Sequence, residues 1–547
     1  MKNVRDSVHG NIVVEDRFVK TILDTPAFQR LRRVEQTSIR SIFPSARHDR
    51  FIHSLGVYYI GNLFVKHLWK EFDAEILRKD GNGTFFGIPK EELILITNSY
   101  LVACLLHDVA HAPFSHTFED YYGTQDNLFN RLNDDLSKTL DKDTHAKDDP
   151  KPHEYASAIL ACEQYGPVIE GELKASKELV SRMIIGWRYS EKQKYAIHNC
   201  FISLLHGDVV DADRMDYACR DVWASGYCTS SIDVERIVAA THILLEPQTD
   251  ILRVCFDCNA INEIQNMLEV RQFQNRYVIN HHSVQYEQKL MVKAAEYAAL
   301  KNEPEGSNII KGEDALQKFI TIDNCISRYL SDEDLLSFMK GNGTNPYYNE
   351  FTSRQYKRFA VWKTPDEFFH FFPNVPRGMD LKHDDLKSAV REVLGIELGI
   401  KDAIFCKVKY KMPIRLDDLF IVVNGDVVLY TDIHPELKIE LGNVQKDINF
   451  YYLYVEYPDN KEVILNDYRK KIVDLLTPVF NVLYPQSNNE YHIYEFIQDA
   501  LEKAFEEICA REEYERRKLQ IVNMEKNIKD LRTFMDKSGI LSLLENY

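Results

Sequence analysis

Over most of the first 300 residues, apolar positions recur at three- and four-residue steps. Residues 51–74 and 90–110 carry this spacing and predict two helices. Residues 203–225 and 258–301 repeat it. Gly81 to Gly87 predicts a turn between the first two helices. Pro113 limits the second, because proline cannot continue the hydrogen-bond ladder. Asp134 to Pro152 is charged, with little to bury, and predicts a loop; Asn302 to Asn308 and Gly341 to Pro346 are further loop signals. After about Pro365 the texture changes. Ile421 to Val428 runs apolar, Asn-Gly, apolar, a hairpin signal because Asn424 and Gly425 suit the positive φ angles of a type I′ turn. Phe405 to Tyr410 and Phe450 to Tyr457 are strand candidates. From Tyr491 onward, Ile493, Ile497, Leu501, Ala504 and Ile508 return to helical spacing. That stripe wants a partner, either the protein's own body or another subunit.

The chain has 547 residues, room for about three or four domains. With 45% hydrophobic and 28% charged residues it is globular rather than disordered. A net charge of −17 argues against bulk nucleic-acid binding, yet leaves room for a small basic pocket that takes a nucleotide. Leu93 to Leu106 is interrupted by Thr97, Asn98 and Ser99 and falls short of the roughly 20 residues a membrane span needs. The opening MKNVRDSVHG lacks the apolar core of a signal peptide. Ten scattered cysteines include one CxxC, Cys255 and Cys258, too few ligands for a zinc ribbon. A reduced, cytoplasmic protein that avoids membranes is expected.

Three segments concentrate the chemistry: Arg50 to Val57 (RFIHSLGV), Leu105 to His116 (LLHDVAHAPFSH) and Val210 to Asp221 (VDADRMDYACRD). His107 and Asp108 end an apolar run, where an ionised aspartate is unfavourable unless paired or bound to a metal. A histidine, the adjacent His-Asp pair and a distant aspartate supply two nitrogens and two carboxylates, a set suited to Mn, Fe, Co, Ni or Zn. Four such ligands leave positions open for water and a phosphate oxygen. His111, His116, Glu119, His153 and Glu154 follow closely, and histidine carries protons near neutral pH. Arg50, Arg214 and Arg271 offer planar forks for phosphates.

Together these segments resemble the HD-domain metal-dependent phosphohydrolases. Within them they are most similar to the deoxynucleoside triphosphate triphosphohydrolases, both the bacterial dGTPase type and the animal type that joins a sterile-alpha-motif domain to an HD domain. The resemblance includes VRDSVHG at 4–10 and DTPAFQRLR at 24–32, runs to about residue 365, and continues faintly to about 475. It implies that His53, His107, Asp108 and Asp213 hold the metal. It places His111, Glu119 and His153 in a catalytic cluster, with Glu119 where the family commonly has aspartate. His116 matches a candidate general acid beside the scissile Pα–O5′ bond. Arg50, Arg214 and Arg271 fall at phosphate positions, and Gln36, Tyr217 and Asp221 at the deoxyribose. Ile279 stands where the animal type has a stacking tyrosine, which leaves base preference open. Asp24, Gln29 and Arg32 match positions that read guanine in an activator site.

The fold class these readings imply is mainly α: an HD-type helical core over residues 1–365, a smaller α/β lobe over 366–475 and a C-terminal helical extension over 476–547. The implied activity is metal-dependent hydrolysis of dNTPs to deoxynucleoside and tripolyphosphate. It would use a divalent transition metal with Mg on the nucleotide, a GTP or dNTP activator, and a homo-oligomer. A role in antiviral defence fits the same reading. Another HD phosphohydrolase (a nucleotidase or phosphodiesterase) and a nucleotide-sensing assembly module are the alternatives.

Overall fold

The computed structural model describes residues 1–484 apart from position 41 and the segments 78–82, 141–148, 228–230, 303–311, 342, 378–382, 412–415, 417–418, 435–446 and 459–463. The helical tail expected from Tyr491 lies outside the described residues. The chain forms two compact units: residues 1–365, 377–383 and 400–459 make the first, and 366–376, 384–399 and 460 onward the second.

The first unit opens with a hairpin, β1 (Lys2–Asp6) and β2 (Gly10–Val14). Asp6 closes its turn by accepting from the backbone N–H groups of Val8 and His9. The 27-residue helix α1 (Arg50–Ile76) follows, about 40 Å long. The Asp49 side chain caps it by accepting from Ile52 N–H. Most of the first half of α1 is buried, which is why its sequence is apolar on nearly every side. α2 (Lys90–Leu106) packs against it, and a Cβ on Gly61 would lie 2.7 Å from Cys104 Sγ. α3 (Pro152–Glu163), α4 (Lys177–Ile185) and α5 (Ala196–Leu205) build the core around α2. α6 (Ala212–Ser225) lies against α1 so closely that a Cβ on Gly56 would fall 1.8 Å from Asp216 Oδ1.

The helical spacing over 203–225 is divided in the structure. A Cβ on Gly207 would meet Ser203 O at 2.4 Å, and the Gly207 N–H donates to Asp211. Asp211 then caps α6 through Arg214 N–H, so the chain turns between two helices. A hairpin stands where the sequence reading saw no strand: β3 (Thr241–Glu246) and β4 (Ile251–Asp257). The stretch 258–301 becomes α7 (Ile261–Gln274) and α8 (His282–Lys301), separated by a π-helical turn at Asn275–Ile279.

Besides a short hairpin of Thr84–Phe85 with Ile88–Pro89 ahead of α2, the later strands are β5 (Arg358–Ala360), β6 (Ile404–Lys411), β7 (Phe420–Val423), β8 (Asp426–Leu429) and β9 (Asp447–Glu456). Asn424 and Gly425 take φ angles of 53° and 91°, the conformation their turn requires. β7 runs parallel to β4, giving a sheet in the order β8-β7-β4-β3; β5, β9 and β6 form a second, antiparallel sheet. Beyond residue 365 the strands thus join the first unit, while helices supply the second. That second unit carries α9 (Pro365–Phe371), α10 (His383–Leu398) and α11 (Leu465–Leu483), with Phe372 stacked on Phe480 at 3.9 Å. No helix among the described residues is long and apolar enough to cross a membrane.

Candidate active site

α1, the end of α2 and the start of α6 bring His53, His107, Asp108 and Asp213 together. α2 stops at Leu106, well before Pro113, and the turn that follows carries His107 and Asp108 into the interior. The two Nε2 atoms of His53 and His107 lie 3.2 Å apart. Asp213 Oδ1 is 3.0 and 3.6 Å from them, and Asp108 Oδ2 is 3.5 and 3.4 Å away. Both rings use their Nδ1–H elsewhere: His53 donates to Asp216, and His107 to the Cys104 carbonyl. Were both rings neutral, their Nε2 lone pairs would oppose each other at this distance, so a proton or a cation must stand among them. Burial opposes protonation of His53, but hydrogen bonds to Asp213 and Asp216 push it up to about 9. A divalent transition ion is the alternative neutraliser, and two imidazoles with two carboxylates fit one.

Behind this centre lies a second layer that the sequence reading did not assign. Asp216, fully buried, accepts from His53 Nδ1, His9 Nε2 and the Arg220 guanidinium. Arg220 also holds Asp6 of the first hairpin. An outer carboxylate of this kind fixes the tautomer of a ligating imidazole. The visible signal was the i, i+4 pair Asp216 and Arg220 within the third motif.

The neighbouring cluster contains His111, His116, Glu119 and His153. Glu119 accepts from His116 (3.1 Å) and His153. Burial opposes its ionisation, yet His116 and His153 hold it well below the usual carboxylate range. His111 stacks on His153 at 4.2 Å, and neither of its ring nitrogens has a hydrogen-bond partner. Burial, with Arg50 and His153 nearby, keeps it well below the ordinary histidine value. The His116 imidazole is 52% exposed, so it is the member of the cluster that faces outward.

Arg50 does not stand free for a ligand. Its guanidinium donates to Asp108, to Ser115 Oγ and to the Gln36 carbonyl, and it is only 4% exposed. Arg214 differs: its Nε and Nη1 are buried without a hydrogen-bond partner, Nη1 lying 3.4 Å from Asp211. Gln36 is buried with Oε1 unpartnered. Tyr217 and Asp221 follow Asp213 along one face of α6, and Asp221 pairs with His48, a residue the sequence did not single out. Arg271 is half-buried near the end of α7. Asp24 precedes the short helix Pro26–Arg30, which carries Gln29, and Arg32 lies in the 3-10 helix Leu31–Arg33 that follows. Lys2 donates to Asp24, Gln29 to the Leu23 carbonyl, and Arg32 to Gln29 while covering the Phe51 ring at 3.6 Å.

The loop that carries His116 is strained and clamped. Phe114 and Ser115 take φ of 54° and 53°, unfavourable for non-glycine residues. Asp332 holds them by accepting from Phe114 N–H and, on its other oxygen, from Glu35 N–H. Arg30 ties the same loop through the carbonyls of Val109 and His111. Burial and the Glu35 charge push Asp332 up to about 7. The folded state thus holds this proton more tightly than the unfolded chain does. Stability is expected to fall as pH rises from about 4 to 7, by at most about 1.4 kcal/mol per pH unit for one proton, and to level off above. Urea unfolding at a series of pH values tests this, and Asp332→Asn should lose that part of the slope.

Residues 50–216, which span both clusters, match the HD domain family. An uncharacterized protein of Mycoplasma genitalium is 30% identical over 43% of this chain and 46% of its own length. The Gallus gallus deoxynucleoside triphosphate triphosphohydrolase SAMHD1 is 28% identical over 51% of this chain and 43% of its own. The chain thus spans less than half the length of these two relatives. A solved phosphohydrolase from Bacteroides thetaiotaomicron shares the fold, with a TM-score of 0.56 at 20% identity, covering 83% of this chain and 99% of that one.

Proposed function

From the premise that this chain carries an HD domain, the unit of metal-dependent phosphohydrolases, we propose that it hydrolyses dNTPs to deoxynucleoside and tripolyphosphate. The observation that carries this reading is the convergence of two imidazole Nε2 atoms, 3.2 Å apart, with two carboxylates, beside Arg214, whose buried Nε and Nη1 lack hydrogen-bond partners. A metal held by His53, His107, Asp108 and Asp213 would supply Lewis acidity and an activated water.

The chain's own groups supply the rest. Arg214 offers its Nε–H and Nη1–H groups, which lack hydrogen-bond partners, to the triphosphate, with Arg271 as a further candidate. Arg50 acts mainly by holding Asp108 and Ser115 in place. When water oxygen bonds to Pα and the Pα–O5′ bond breaks, the departing O5′ needs a proton. His116 is the outward imidazole that can give it, positioned by Glu119, which His153 and the stacked His111 support. Gln36, Tyr217 and Asp221 are proposed to read the sugar; a site built to bond a hydroxyl rejects analogues that lack it. Asp24, Gln29 and Arg32 are proposed to receive a guanine nucleotide activator in a cytoplasmic homo-oligomer.

Metal-loaded protein incubated with each dNTP, and with all four together, should release nucleoside and tripolyphosphate. Release of orthophosphate or of a monophosphate instead would identify a nucleotidase or phosphodiesterase, and no nucleoside under any condition would end the dNTP reading. His116→Ala should lower kcat by about 100-fold or more while metal content stays unchanged.

A further inference from the structure

About 21 Å along α1 from His53, at 1.5 Å per residue, a separate group of ligand-type side chains gathers. His67 and Glu71 stand one helical turn apart on α1, facing His242 on β3. The three offer donor atoms within 4.8 Å of one another. His242 Nδ1 meets Glu71 Oε1 at 2.5 Å, and His67 Nε2 lies 3.7 Å from the same oxygen. Asp257, at the end of β4, lies 3.3 Å from His242 Nε2. We infer that His67, Glu71 and His242 form a second divalent-metal site, with Asp257 as the outer carboxylate that orients His242.

The donor chemistry fits zinc or a similar borderline ion: two imidazoles and one carboxylate, two of them at i and i+4 on a helix. His242 Nδ1 shares a proton with Glu71 across 2.5 Å; with an ion in that proton's place, Asp257 can hold Nε2–H, the arrangement in which ligating histidines are commonly held. Side-chain exposures of 22%, 27% and 24% for His67, Glu71 and His242 leave open positions for water and a route of entry. His67 Nε2 now donates to the Thr241 carbonyl at 2.9 Å. An incoming ion displaces that proton and any proton shared between His242 and Glu71, so binding releases protons and weakens at low pH. The Cys255–Cys258 motif contributes Asp257 rather than its thiols: Cys255 Sγ faces the His242 carbonyl and Cys258 Sγ the Val422 carbonyl. The ion would tie the far half of α1, whose near half carries His53, to the β3–β4 hairpin.

The test titrates Co²⁺ into the full chain carrying His53→Ala, Asp213→Ala, His116→Ala and His153→Ala, which disables the other two groups of ligand-type side chains described here. A visible d–d absorption that saturates at one equivalent is expected, and it should vanish when His67→Ala and His242→Ala are added. Absence of the band, or its survival in the second variant, overturns the proposal and leaves His242 as an ion-pair bridge between Glu71 and Asp257. If the starting variant does not fold, zinc content of the wild-type chain and of His67→Ala/His242→Ala is measured after dialysis. Two equivalents falling to one is the expected result, and equal content overturns it.

Discussion

His53→Ala is expected to lose metal from the catalytic centre and at least about a thousandfold of phosphohydrolase activity. His53 Nε2 lies within 3.5 Å of the other three donor side chains, so its loss opens one side of the centre. Stabilising developing phosphate charge is worth several kcal/mol, and each 1.4 kcal/mol is tenfold in rate. The fold should persist, because Asp216 keeps Arg220 and His9 as partners when His53 is gone. Metal analysis and product chromatography on the same sample check both halves. A His53→Ala protein that turns over at the wild-type rate would remove this centre from the mechanism.

Asp216→Ala is expected to lower stability by about 3–5 kcal/mol, the usual effect of leaving a buried charge without its partner. The Asp216 carboxylate is fully buried and is the shared acceptor for Arg220, His53 and His9. Asp6 remains beside Arg220 and limits the loss. In the fraction that folds, His53 loses the hydrogen bond that fixes its tautomer, so metal affinity should drop by about 10- to 100-fold. Asp216→Asn keeps the shape and one acceptor, and should fall between the two. Urea unfolding and metal titration separate the structural effect from the effect on the ligand. Gly56 belongs to the same argument: only the missing Cβ lets α1 approach Asp216 this closely.

Much of the site was legible because its residues are adjacent in the chain or one turn apart. His107 and Asp108 are neighbours, His111, His116 and Glu119 follow at once, and Asp213, Tyr217 and Asp221 share a helical face. Less legible were the groups that act by filling space or accepting a buried bond. Asp332 clamps Phe114 from more than 200 positions away in the sequence, with no local pattern to announce it. Arg50 looked like a phosphate fork, but its three contacts depend on Asp108, Ser115 and Gln36 converging in space. The strands at Thr241–Glu246 and Ile251–Asp257 escaped because the sequence on both sides has helical spacing.

By itself the sequence determined the helical core, the hairpin at Asn424–Gly425 and the donor types of the candidate metal centre. Periodicity, turn chemistry and donor identity are local properties. Tertiary structure alone decided which nitrogen of each histidine faces the candidate metal centre, which arginine is committed and which keeps donors without hydrogen-bond partners, and that His67, Glu71 and His242 meet. Each of these depends on groups brought together across the fold, where burial makes every partner, or missing partner, count.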